Sequence, residues 1–325
     1  MATALNTLMS LPIVALAPHA TPIEPMTRLS KALGPECPQL LIKRDDLLSF
    51  ALGGNKVRKM QMVAAEALAA GADTLITCGG AQSNHARVTA ATGAVLGLRV
   101  VLVLNGQSPS ALSGNALLDR VFDADVHYVA SRQERAPMME AIAADLRTRG
   151  RRPFIVPLGA STATGALGLA RGIGEIASAG VKPDVIVHAT SSGGTQAGLI
   201  AGCALFGLRA RVIGVSADDP AGSLNVVIAK LLDEIAARLG AARATWGADK
   251  PVEVDDRFVG GGYGIPTPAS TEALELVARR EGIVLDPVYT AKAMAGLLAR
   301  IRTGEFGKNE TILFWHTGGT PALFA

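Results

Sequence analysis

Asp184-Val185-Ile186-Val187-His188-Ala189-Thr190-Ser191-Ser192-Gly193-Gly194-Thr195-Gln196 is the stretch in which the fold becomes readable. The β-branched run over 184–189 reads as a strand, Ser191 to Thr195 as a turn, and a helix begins near Gln196. Strand, small-residue turn and helix in that order gather backbone N–H groups and the positive end of a helix dipole at one point, which suits a phosphate. The stretch lacks the GxGxxG spacing of a dinucleotide site and the GK[ST] of a P-loop. Two readings remain, a cradle for a single phosphate monoester and a plain tight turn.

The same alternation runs through the chain. Strands are predicted over 40–43, 74–78, 99–104, 126–129, 154–156, 184–189, 211–215 and 311–315, and helices over 56–70, 84–96, 136–148, 165–178 and 224–239. Repeated strand–helix–strand units define an α/β fold with mostly parallel sheets covered by helices on both faces. The run over 100–104 is apolar throughout, as a central parallel strand requires. Ligands of such folds sit beyond the carboxyl ends of strands, so the loops after residues 43, 78, 189 and 315 are where chemistry is expected.

Composition sets the limits. At roughly 150 residues per domain, 325 residues allow about two. Charged residues are 18% of the chain, against about 25% in soluble domains, and there are 36 glycines. That balance indicates a compact enzyme-like body with close backbone approaches to a ligand. With 31 Lys+Arg, 28 Asp+Glu and a net charge of +3, there is no nucleic-acid footprint. The cluster Arg147, Arg149, Arg151 and Arg152 reads as a solvated helix end. Cys37, Cys78 and Cys203 form neither a disulfide framework nor a metal motif, so no metal is expected. Neither a signal peptide nor an apolar run of about 18 residues stands out, so the expected compartment is the cytoplasm and no membrane partner is expected.

Three further loops carry candidate groups. Gly53-Gly54-Asn55-Lys56 ends at a predicted helix start, where the dipole favours a neutral lysine amine and hence nucleophilic or Schiff-base chemistry. Ser83-Asn84-His85 opens the helix after the strand at 74–78, offering an N-cap and free backbone N–H groups that suit a carboxylate. His85 has no acid at triad spacing. Tyr263, flanked by glycines, is read as loop-borne. A reactive lysine together with a single-phosphate cradle on an α/β protein points to pyridoxal 5′-phosphate (PLP).

At this point the sequence resembles the 1-aminocyclopropane-1-carboxylate (ACC) deaminase / D-cysteine desulfhydrase family of tryptophan-synthase-β-like PLP enzymes. The resemblance rests on IKRDD (42–46), GGNKxRK (53–59), QSNH (82–85), SSGGTQAG (191–198), DPVYTAKAMAG (286–296) and HTGGTPALF (316–324). It implies fold type II, two open twisted sheets flanked by helices, with a large domain of residues 1–59 and 159–325 and a small domain of 60–158. It implies that Lys56 binds PLP as a Schiff base and then serves as the general base. Asn84 would meet the cofactor's phenolic oxygen, and Ser83 with the amides of Asn84 and His85 the substrate carboxylate. Ser191, Ser192, Gly193, Gly194 and Thr195 would hold the phosphate, and Tyr263 and Tyr289 would flank the reacting carbons. Thr290 would face the pyridine nitrogen, with Thr317 near the same end of the ring. Members are usually homodimers acting on small amino acids.

ACC deaminases that resemble this chain carry Glu and Leu where Thr290 and Thr317 stand. A neutral hydroxyl leaves the ring a weaker electron sink, sufficient for an activated β-substituent. The resemblance therefore implies carbon–sulfur lyase chemistry, D-cysteine to pyruvate, hydrogen sulfide and ammonia. L-cysteate sulfo-lyase is the leading alternative. ACC deamination and a PLP-binding protein without turnover rank lower. Leu169, where related sequences often have Tyr, is expected to reshape the pocket around the leaving group.

Overall fold

The computed structural model describes residues 2–246 and 252–325. The chain begins α1 (Ala2–Ser10), β1 (Ile23–Pro25), α2 (Thr27–Leu33), β2 (Gln39–Arg44), α3 (Asn55–Ala69), β3 (Thr74–Gly80), α4 (Asn84–Leu96), β4 (Arg99–Asn105). It continues α5 (Gly114–Val121), β5 (Asp125–Val129), α6 (Arg135–Thr148), β6 (Pro153–Ile155), α7 (Ala163–Ser178), β7 (Val185–Thr190) and α8 (Gly194–Leu205). The remainder is β8 (Arg211–Ser216), α9 (Ala221–Leu239), β9 (Glu253–Asp255), α10 (Pro268–Glu281), α11 (Thr290–Arg302) and β10 (Thr311–His316). Among the described residues the strands form two sheets, ordered β1-β2-β10-β7-β8-β9 and β5-β4-β3-β6.

The β1–β2 pair is antiparallel and the other pairs are parallel, as the alternating pattern predicts. Every residue of β7 is buried, which explains why its apolar run shows no period of two. β1 and β9 were not foreseen. Each has three residues, with Pro25 in one and Glu253 and Asp255 in the other, so neither carries a strand signal. α8 starts at Gly194, not near Gln196, because Gly193 at φ 76° completes the turn by itself. Arg149 and Arg151 lie just beyond α6 and pair with Asp145 and Asp73 at the exposed end that the sequence suggested.

α7 packs between α3 and α8, and Leu169 is fully buried there with Ile173, Ile186 and Trp315. It does not line the cavity described below, so the expectation that it reshapes the pocket is corrected. The cause is helical phase, which turns Leu169 towards α8, where a Cβ on Gly198 would stand 2.8 Å from the Leu169 Cβ.

A buried charge network joins α3, α7 and the N-terminal segment. Lys43 Nζ donates to Glu175 at 2.5 Å and to the Thr21 carbonyl at 2.7 Å, while Arg58 donates to Asp45 and Glu175. Burial pushes the Glu175 carboxyl up, but the bonds and charges of Arg58 and Lys43 outweigh it and hold it below its usual range. A depressed carboxyl stabilises the fold above the unfolded value, near 4.3, and that stabilisation is lost as pH falls through the folded value. Glu175→Gln should thus lower stability at pH 7 by roughly 1–3 kcal/mol. It should also flatten the loss of stability below about pH 4. Thermal melts from pH 7 to pH 2.5 check this, and an acid limb as steep as wild type would count against it.

Candidate active site

The loops at the carboxyl ends of β3, β4, β7, β8 and β10 converge on a cleft of about 310 Å³ between the two sheets. Its floor carries Lys56, the second residue of α3. Three contacts place that helix start. Gly54 N–H donates to the Asp45 carbonyl at 2.8 Å, Asn55 N–H to the Thr317 carbonyl at 3.0 Å, and Asn55 Nδ2 to Thr195 Oγ1 at 2.9 Å. Burial pulls the Lys56 ammonium down to about 8, so a sizeable neutral fraction exists near neutrality.

One wall is the N-terminus of α4. Ser83 caps it, its Oγ accepting from Ala86 N–H at 3.2 Å. Asn84 Oδ1 accepts from Arg87 Nη1 at 2.7 Å and from Asn115 Nδ2 at 3.0 Å, which leaves the Asn84 NH₂ as the donor for a ligand oxygen. His85 Nε2 is bonded to Thr77 Oγ1 at 2.7 Å, and burial drives the ring's pKa well below the usual value. What His85 offers the cleft is its main-chain amide, one of the unpaired donors at a helix start.

The opposite wall is the β7–α8 turn. Ser191, Ser192, Gly193 and Thr195 line the cleft, whereas Gly194 lies behind them in the first turn of α8. A Cβ on Gly194 would come within 2.7 Å of Ser161 Oγ and 2.9 Å of Lys59 Nζ. Lys59 is fully buried and donates to the Gly159 carbonyl and to Ser161 Oγ, both at 3.1 Å, and Ser161 Oγ bonds Ser192 Oγ at 2.7 Å. Burial and the nearby Lys56 push the Lys59 ammonium well down. A doubly negative group at this turn would relieve both. Thr190, also on this wall, has a buried hydroxyl without a partner, the kind of atom a polar ligand satisfies.

Tyr263 and Tyr289 close the outer side, their hydroxyls 2.5 Å apart and their rings edge to face. Burial raises both above the ordinary tyrosine value, so both stay protonated at neutral pH. Arg132 covers the Tyr263 ring at 5.4 Å and pairs with Asp218 at 2.7 Å, so an ion pair bridges the mouth from the β5 side to the β8 side. Thr317 lines the cleft, but Thr290 does not. Thr290 sits fully buried at the start of α11, where its hydroxyl donates to Asp286 Oδ1 and accepts from Asp286 N–H, each at 2.7 Å. It stands behind the wall expected to meet the pyridine nitrogen, held there by the turn that it closes.

Sequence reasoning missed Lys59, Arg87, Arg132 and Asp218. Arg87 joins both halves of the floor, since its Nη2 donates to the Gly53 carbonyl at 2.9 Å while Nη1 holds Asn84. Its helical neighbour relation to Asn84, three residues on, was the available signal.

A helix-start lysine, a glycine–serine turn at a second helix start and an aromatic lid around one cleft describe a site for a phosphorylated aldehyde. The chain belongs to the family of pyridoxal-phosphate dependent enzymes, matched over residues 14–318. It is 41% identical over 322 residues to the D-cysteine desulfhydrase of Yersinia pestis, spanning 97% of this chain and 96% of that protein. The D-cysteine desulfhydrase of Yersinia enterocolitica matches to the same extent. A crystal structure of an ACC deaminase homologue superposes with a TM-score of 0.91 at 37% identity, covering 100% of this chain and 97% of that one. Threonine deaminase isoform 2 from Solanum lycopersicum, at 17% identity, TM-score 0.69 and coverage of 97% and 83%, shares the fold. The residues present fit PLP. The unpartnered Thr190 hydroxyl, the tight Gly194 approach and the desolvated lysine pair each match a phosphate-bearing aldehyde.

Gly194→Val should raise the PLP dissociation constant about tenfold or more, because its side chain must displace Ser161 and Lys59 behind the turn. The checks are cofactor titration and gel filtration of the loaded protein. Retention equal to wild type would remove this turn as the phosphate cradle.

Proposed function

We propose that this chain is a PLP-dependent carbon–sulfur lyase that converts D-cysteine and water to pyruvate, hydrogen sulfide and ammonia. The observation that carries the reading is Lys56, desolvated and facing the same cleft as the hydrogen-bonded Tyr263–Tyr289 pair. Near-full-length likeness to D-cysteine desulfhydrases supports the substrate. A cofactor carrier would gain nothing from the tyrosines.

When bound, PLP supplies the electron sink that makes the substrate's α-proton removable. The Ser191–Thr195 turn would hold the phosphate, with the Lys59 amine behind it. Asn84 NH₂ would donate to the ring oxygen. Ser83 Oγ and the Asn84 and His85 amides receive the substrate carboxylate and orient the Cα–H bond towards Lys56. Lys56 Nζ, facing the cleft, would accept that proton, a step worth about 10²–10⁴-fold. Tyr263 and Tyr289, on the cleft lining, would flank the departing β-substituent, where a shared hydroxyl proton could be delivered to sulfur. Thr317 brings a neutral hydroxyl to the cleft lining, while Thr290 stays behind it with its hydroxyl on Asp286, so neither position presents a carboxylate to the cleft, which favours a good leaving group over a cyclopropane bond. We also propose that residues 60–158 form the small domain, 1–59 with 159–325 the large one, that the protein is a cytoplasmic homodimer, and that light scattering will give twice the 33.4 kDa chain mass.

L-Cysteate is the rival substrate, favoured by one observation, a second arginine, Arg135, among the residues lining the cleft. Two experiments test the reading. Borohydride reduction and peptide mapping should place the pyridoxyl group on Lys56, and Lys56→Ala should lose the visible absorbance; a label on Lys59 or Lys43 would sink the assignment. Steady-state kinetics should rank D-cysteine above L-cysteine and L-cysteate, with ACC unreacted. A higher kcat/KM for L-cysteate would replace the desulfhydrase by a sulfo-lyase.

A further inference from the structure

Tyr263 is carried by Gly260-Gly261-Gly262-Tyr263-Gly264, a backbone with almost no conformational preference of its own. Its hydroxyl is nevertheless held 2.5 Å from Tyr289. Within the described loop, main-chain bonds are sparse, Val259 N–H to the Asp256 carbonyl and Ile265 N–H to the Gly262 carbonyl, both long at 3.3 Å. The strong tie comes from outside. Lys292, on the first turn of α11 and fully buried, sends Nζ to the carbonyls of Val259 at 2.7 Å, Gly262 at 2.9 Å and Ala217 at 3.3 Å.

Three carbonyls can only accept, so all three bonds require three N–H hydrogens, and the amine must be protonated. The two loop carbonyls bracket the glycine run just before Tyr263. Ala217 lies beside Asp218, the partner of Arg132 at the mouth. The helix that carries Lys292 begins directly after Tyr289. One ammonium therefore ties the loop of one tyrosine to the helix of the other.

We propose that Lys292 is a positioning residue for the reaction, whose ammonium clamps the glycine loop so that Tyr263 meets Tyr289 over the substrate. This rests on the reading that the tyrosine pair acts on substrate. A buried ammonium that serves only the fold would, on removal, lower stability without singling out this loop, and small cations would not restore function.

The test uses the PLP-loaded enzyme and the variants Lys292→Met and Lys292→Ala. Amide exchange in the peptide over 257–266 should quicken about tenfold in Lys292→Met, with exchange in β7 and β10 unchanged. Its kcat on D-cysteine should fall about tenfold or more while cofactor absorbance is retained. Ammonium or methylammonium ions should slow exchange and recover part of kcat in Lys292→Ala, and leave wild type unaffected. Unchanged loop exchange, or a kcat within about twofold of wild type, would overturn the proposal. Failure of both variants to fold would also overturn it, by making Lys292 a folding residue. If wild type turns over no β-substituted alanine, the functional reading fails while the exchange result still reports on the clamp.

Discussion

The carboxylate of Asp45 is the anchor on which the site depends. Wholly buried, it accepts from Thr21 Oγ1 at 3.0 Å, Arg58 Nε at 2.8 Å and Nη2 at 2.7 Å, and Trp315 Nε1 at 2.7 Å. Its own carbonyl receives Gly54 N–H. One residue thus joins the end of β2, the N-terminal segment, α3 and β10, and sets the entry angle of the helix that bears Lys56. Removing a single partner from a buried charge pair costs about 3–5 kcal/mol because the other charge is left uncompensated.

Electrostatics around the buried inner end of the cleft run in one direction. Lys56, Lys59, His85 and His188 are all pushed towards their neutral forms by burial, and the two lysines add to the effect on both histidines. An inner wall that disfavours positive charge in its buried side chains is prepared for an anion that restores it. The phosphate of PLP is such an anion, and its binding there would favour lysine protonation.

The architecture was readable because β-branched runs and glycine-rich helix starts are local signals. Lys56, Ser83, Asn84 and the Ser191–Thr195 turn announce themselves as strand–turn–helix junctions, and the structure brings them to one cleft. What was not readable depends on side-chain direction. Thr290 follows Tyr289 in sequence yet turns into the Asp286 turn, Leu169 faces α8, and Lys59 reaches Ser161 behind the β7–α8 turn from a helix register that spacing alone does not reveal. β1 and β9 exist through pairing with β2 and β8, not through propensity. Arg132 and Asp218, 86 residues apart, meet only when the two sheets face each other.

The rim of the cleft balances its charges. Arg132 and Arg135 stand with Asp218 and Asp219, so the opening presents two positive and two negative side chains. A zwitterionic amino acid approaching such a rim feels little net field, and its encounter rate is set by diffusion and orientation, without long-range steering. Association should consequently depend weakly on ionic strength, and selection among amino acids falls to contacts made after entry.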